Sequence, residues 1–166
     1  MELKRLITAT EKFGIFVDVQ NIYYTTRDTF GRSFDYRRLW NMLSRRGNIV
    51  LGKAYATDRG DESQKKFQRA LGHIGFDVKL KPYIQRADGS AKGDWDVGIT
   101  VDILRSVSSL DRIFLLSGDG DFDLLADAVQ TDHTTPVEVY GVEALTADSL
   151  KRVASEFHPI TEELLI

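Results

Sequence analysis

Short runs of Val, Ile, Leu and aromatic residues recur along the chain at Gly14–Val19, Ile49–Ala56, Phe76–Ile84, Arg112–Leu116 and Pro136–Tyr140. Runs of this length, bounded by turn-forming residues, predict β-strands. Between them the apolar positions change to helical spacing. Asp35–Arg46 opens on a capping Asp, carries Leu39, Trp40 and Leu43 on one side, and meets a stop signal at Gly47. Asp61–His73 presents Phe67, Ala70, Leu71 and the adjoining Ile74 as its apolar stripe. Asp94–Ser108 is apolar almost all round, which predicts a helix packed deep against a sheet. Asp121–Gln130 and Asp148–Phe157 complete the alternation, while Thr25–Ser33 and Gln85–Gly93 read as loops. Strand alternating with helix predicts an α/β fold with a mostly parallel sheet covered on both faces.

Composition narrows this picture. The 166 residues suffice for one domain with a sizeable core, and neither a repeat nor a linker divides residues 1–166. With no cysteine, disulfide frameworks and thiolate metal sites are excluded. No apolar run has the length of a membrane span, and charges interrupt the N-terminal stretch, so a cytoplasmic protein without membrane contact is expected. A net charge of −3 gives no global attraction to nucleic acid, so the placement of charge matters more than its total.

The acids are placed unevenly. Asp18 ends the first strand, and the fourth strand runs into Ser117-Gly118-Asp119-Gly120-Asp121. Ligands of open α/β sheets bind beyond the carboxyl ends of strands, so these two acidic ends would meet if the strands are neighbours. A third cluster, Asp94-Trp95-Asp96 followed by Asp102, opens the most apolar helix. At about 100° per residue Asp96 and Asp102 point in different directions, and Asp96 is the better candidate for the site. Two carboxylates ~5 Å apart repel by roughly 3 kcal/mol at an effective dielectric of 20. Several stay ionised together only beside a cation, and an all-oxygen set suits Mg²⁺ or Mn²⁺ better than zinc.

Other roles compete at particular positions. Asp94, Asp121 and Asp123 are all placed to charge or cap helix N-termini, and Asp94 reads best as a cap. Asn21 and Ser117 either orient a carboxylate or serve as turn residues; Asp102 either supports the site or bonds within the fold. Lys92 is either a phosphate contact or an ordinary loop lysine. A phosphoryl-transfer site with Asp18 as nucleophile would want a second Asp where Gln20 stands. A phosphate loop at Gly118-x-Gly120 lacks its third glycine, because Asp123 occupies that place.

The same residues carry a family resemblance. Phe16-Val17-Asp18-Val19-Gln20-Asn21 resembles the opening motif of NYN domains, within the PIN-like nuclease superfamily. Lys92-Gly93-Asp94-Trp95-Asp96-Val97 with Asp102, and Ser117-Gly118-Asp119-Gly120-Asp121-Phe122, resemble that family's central helix and second acidic turn. Val137–Gly141, then Ser149-Leu150 and residues 154–157, are similar to its final strand and helix. The resemblance implies a three-layer α/β/α sandwich with a five-stranded sheet in the order 3-2-1-4-5. It also implies a metal-dependent ribonuclease with Asp18, Asp96, Asp119 and Asp121 as catalytic metal ligands for Mg²⁺ or Mn²⁺. Asn21, Ser117 and Asp102 would support them, and Lys92 would touch substrate. The implied partner is RNA, single-stranded or structured, with self-association left open. The family also includes LabA-like bacterial proteins, so a catalytically silent module binding RNA or a protein is the alternative. One departure is Thr134-Thr135-Pro136, where relatives usually carry a Gly-Lys pair.

Overall fold

The computed structural model describes residues 11–82, 84–85, 91–92 and 94–166. Strand β1 (Lys12–Asp18) lies at the centre of a six-stranded, wholly parallel sheet. On one side it pairs with β2 (Asn48–Asp58), which pairs with the edge strand β3 (Asp77–Pro82). On the other come β6 (Arg112–Leu116), β7 (Val137–Gly141) and the second edge β8 (Glu156–Pro159). A short antiparallel hairpin, β4 (Ile84–Gln85) with β5 (Ala91–Lys92), stands apart. It replaces the two ends of the expected loop over Gln85–Gly93, whose remaining residues, Gly93 among them, lie outside the described residues.

Two hydrophobic layers explain why β1 is apolar at successive positions. Phe13, Ile15 and Val17 face a cluster with Ile22, Leu39, Leu43, Leu71 and Phe76. Phe16 faces the opposite cluster of Ile99, Ile103, Leu125, Val129 and Leu150. Successive strand residues point to opposite faces, so a strand covered on both sides loses its polar alternation. The first face is covered by α1 (Val19–Phe30), α2 (Tyr36–Ser44) and α3 (Glu62–Ile74). The second is covered by α4 (Asp96–Ser106), α5 (Asp123–His133) and the short α6 (Asp148–Val153).

Three expectations need correcting. Thr25–Ser33 is largely not a loop, because α1 runs from Val19 to Phe30 and ends on Gly31 in the left-handed region (φ 63°). Its β-branched and aromatic residues are poor helix formers, yet Ile22 and Thr26 are buried and the hydroxyls of Thr25 and Thr26 bond back to the Asn21 and Ile22 carbonyls at 2.7 Å. Tertiary packing overrides propensity there. The final helix stops at Val153 rather than continuing to Phe157, and residues 156–159 join the sheet beside β7. The sheet therefore has six strands, the five-stranded order extended by β8. Among the described residues no helix is long and apolar enough to cross a membrane.

Candidate metal centre

The two neighbours of β1 are β2, next in sequence, and β6, which follows a long excursion over both faces. Their divergence opens a crevice at the carboxyl ends of β1 and β6. Val17 pairs with Leu116, so Asp18 and Ser117 emerge side by side. The Ser117 hydroxyl donates to Asp18 Oδ2 at 3.1 Å and accepts the Asp119 N–H at 3.2 Å. Asn21, in the first turn of α1, accepts the Gly118 N–H at 2.8 Å and so locks the two strand ends together. Asp18 itself caps α1 by accepting the Asn21 N–H at 3.4 Å.

The turn after β6 is held from outside as well. Asp119 Oδ1 accepts the Asp121 N–H at 2.9 Å, and Gly118 O accepts the Ala147 N–H at 3.0 Å. A Cβ on Gly118 would stand 2.7 Å from the Leu145 carbonyl oxygen. Glycine is required here by close approach of two backbones. The supporting segment 145–147 was not singled out from the sequence, although glycines at 118 and 120 signal such an approach.

Asp96 enters this crevice from the start of α4. One carboxylate oxygen from each of Asp96, Asp119 and Asp121 lies within 4.8 Å of the other two. Asp18 stands beside them, 9% exposed, and feels the charges of Asp119 and Asp94. Burial raises the Asp18 carboxyl to about 6, against the Asn21 and Ser117 hydrogen bonds and with the help of those two charges. Burial also raises Asp96 to about 7, joined by a hydrogen bond to Asp119 and by the charges of Asp119, Asp18 and Asp94. Acids that resist ionisation because of one another form a set that a cation would relieve. Every donor is a carboxylate oxygen, which fits a hard divalent ion.

The remaining expected site residues separate. Asp94 serves the start of α4 by accepting the Asp96 N–H at 3.2 Å, the cap position itself being Trp95 with no side-chain acceptor. Its charge nevertheless acts, as the smallest of several causes, on Asp18 and Asp96, so it does more than cap. Asp102 belongs elsewhere: it accepts the buried Tyr55 hydroxyl at 2.8 Å and lies 3.7 Å from Lys53 Nζ. It is a hydrogen-bonded residue of the fold and does not join Asp96, Asp119 and Asp121. The side chain of Lys92 lies outside the described residues. Asp123 begins α5, as its reading as a dipole complement expects.

A second acidic group was not singled out at all. Glu138, on β7 and 1% exposed, receives two bonds from Arg46 (3.2 and 2.9 Å), one from Arg112 (3.1 Å), and lies 2.6 Å from His158 Nε2. Burial pushes its carboxyl up, but His158, Arg46 and Arg112 outweigh this and hold it at about 2. Although Glu138, Glu156 and His158 approach closely enough to share an ion, the two guanidinium groups already neutralise Glu138.

Comparison with known proteins agrees with this architecture. A family model described as the NYN domain matches residues 12–161. The low amplitude and bright protein LabA of Synechococcus elongatus is 27% identical over 154 residues, spanning 88% of this chain and 82% of that protein. A crystal structure of a protein of unknown function from Vibrio parahaemolyticus superposes with a TM-score of 0.90 at 46% identity, covering 95% of this chain and 97% of the other. The acidic strand ends, the fold and the matched span agree, and the chain belongs to the NYN domain family.

Proposed function

We propose that this protein is a metal-dependent ribonuclease that hydrolyses RNA phosphodiester bonds at Asp18, Asp96, Asp119 and Asp121, with Mg²⁺ or Mn²⁺ as the ion. The observation that carries the reading is the convergence of Asp96, Asp119 and Asp121 oxygens within 4.8 Å at the crevice between β1 and β6. A divalent ion bound there would make water a nucleophile near neutral pH and offset charge on the phosphoryl oxygens and leaving group. Asp119 and Asp121 come from one hydrogen-bonded turn and Asp96 from a helix start, so the backbone brings the three donors together. Ser117 and Asn21 hold Asp18 and the turn in register through the contacts described above. No Ser-His-Asp arrangement is needed for this chemistry.

The test is cleavage of labelled RNA in Mn²⁺ or Mg²⁺, in EDTA, and by Asp119→Asn. Cleavage is expected only with metal, and the variant is expected to lose at least ~100-fold, more than typical effects of residues behind a metal ligand. Undiminished cleavage after thorough chelation rules the metal mechanism out. Metal binding with no cleavage of any RNA favours the catalytically silent module.

A further inference from the structure

The acids of the crevice repel phosphate, so a nucleic-acid strand must be held by something beside them. On the β2–β3 side two aromatic–cation groups stand at the same end of the sheet. The first is built on α1, beginning two residues beyond Asn21. Tyr23 and Tyr24 meet edge to face at 5.2 Å, and the Arg27 guanidinium, itself paired with Asp28 at 2.9 Å, lies 4.7 Å from the Tyr24 ring centre and 5.5 Å from that of Tyr23. Arg59, just past the end of β2, donates to the Tyr24 hydroxyl at 3.1 Å and joins α1 to the strand end. The second group is Lys81 near the end of β3, 4.5 Å from the ring of Trp95, the residue before Asp96.

Register places the cations of both groups at the strand ends beside the site. Asp18 pairs with Tyr55 and Thr57 pairs with Lys81, so Arg59 and Lys81 lie at the carboxyl edge that Asp18 occupies. Tyr23 is five residues along α1 from Asp18, roughly 7–8 Å of helix rise. Tyr23 is 53% exposed at the rim of a groove it shares with Thr26, Phe34 and Phe67, while its neighbour Ile22 is fully buried. An exposed ring steadied by a guanidinium, with further cations alongside, is the arrangement on which unpaired nucleobases stack while their phosphates meet positive charge.

Resting on the ribonuclease reading, we infer that Tyr23, supported by Tyr24, Arg27 and Arg59, is a base-stacking platform that seats one nucleobase of single-stranded RNA beside the acidic centre. The ring face accepts any base, so the platform gives strand-type selectivity rather than sequence selectivity. Duplex RNA hides its base faces within its own stack and cannot use it. The platform also sets a direction of approach, with the strand crossing from β3 and β2 toward Asp18.

The experiment is anisotropy titration of a labelled single-stranded RNA in EDTA, comparing wild type, Tyr23→Ala and Tyr23→Phe. Tyr23→Ala is expected to weaken binding roughly 5- to 20-fold, the lower part of the range for one stacked base. Tyr23→Phe keeps the ring and should stay within about twofold. An RNA duplex of equal length and inorganic polyphosphate should bind all three proteins alike, since neither offers a free base. Equal binding of single strands by wild type and Tyr23→Ala overturns the platform, as does an equal loss on duplex or polyphosphate, or no binding of single strands by wild type. The ribonuclease reading is judged separately, by cleavage in Mn²⁺. Cleavage with Tyr23→Ala binding like wild type sinks the platform alone; base-dependent binding without cleavage sinks the hydrolysis alone.

Discussion

Replacing Asp18 by Asn tests the electrostatics of the crevice without any assay of activity. In the folded protein burial holds the Asp18 carboxyl at about 6 against its ordinary 3.8. The fold thus favours the protonated form. The corresponding stability is fully present below about pH 4 and is lost as pH rises through about 6. At 1.36 kcal/mol for each pH unit between 3.8 and about 6, the loss amounts to about 3 kcal/mol by pH 8. Asn imitates the neutral acid: its carbonyl oxygen can accept the Asn21 N–H, and its amide can donate to the Ser117 hydroxyl. Urea denaturation of both proteins in EDTA at pH 4 and pH 8 gives the answer. The variant should gain on wild type by up to about 3 kcal/mol between the two pH values, whatever its offset at pH 4. For a protein of this size that corresponds to roughly 6–12 °C in melting temperature. A variant-to-wild-type difference that does not change with pH, or that changes in favour of wild type, refutes the reasoning.

Other outcomes follow from the same physics. Mn²⁺ at about 100 times its Kd should stabilise wild type by roughly 2.7 kcal/mol in thermal melts, and Asp119→Asn should lose most of that gain. Glu138→Gln should destabilise by about 1–3 kcal/mol in urea, because Arg46 and Arg112, both partly reached by solvent, lose their shared carboxylate. Thr134 ends α5 with φ 57°, the conformation glycine adopts freely, so Thr134→Gly should raise stability by about 1 kcal/mol in the same assay. Gly118→Ala should cost about 1–3 kcal/mol and displace Asp119, seen as weakened Mn²⁺ binding, since a backbone oxygen blocks the new methyl group.

What could be read from the sequence was whatever depends on local pattern. Apolar strands ending in acids, and a helix opened by Asp94-Trp95-Asp96, are properties of short segments and brought out Asp18, Asp96 and Asp119, while the ligand role of Asp121 came from the family resemblance. What escaped depends on distant partners. The residues of α1 are better suited to a strand, and they form a helix because Ile22 and Thr26 find a core to enter. Strand β8 has four residues and is defined by its pairing with β7. Glu138 sits between two valines, a pattern that suggests one wet face, yet this sheet is covered on both sides. A carboxylate there had to find cations, and no local signal named Arg46, from another part of the chain, as one of them. Asp102 was ambiguous for the same reason, because only the position of Tyr55 on β2 decides its partner.

The central position of β1 has a consequence for how the chain acquires its shape. Asp18 is formed early in synthesis, but Ser117, which grips it, lies 99 residues further on. Bringing such remote segments together costs roughly 4 kcal/mol in closure entropy before any contact returns it. The strands preceding the hairpin can pair as they emerge, leaving the other edge of β1 open until β6 arrives. The acidic crevice therefore comes into being only when the two halves of the sheet join, so a chain in which only β1, β2 and β3 had paired would carry no complete centre. Such a chain would also present an unpaired apolar strand edge, the feature by which chains add to one another. The step that creates the site is thus also the step that covers the open edge of the central strand.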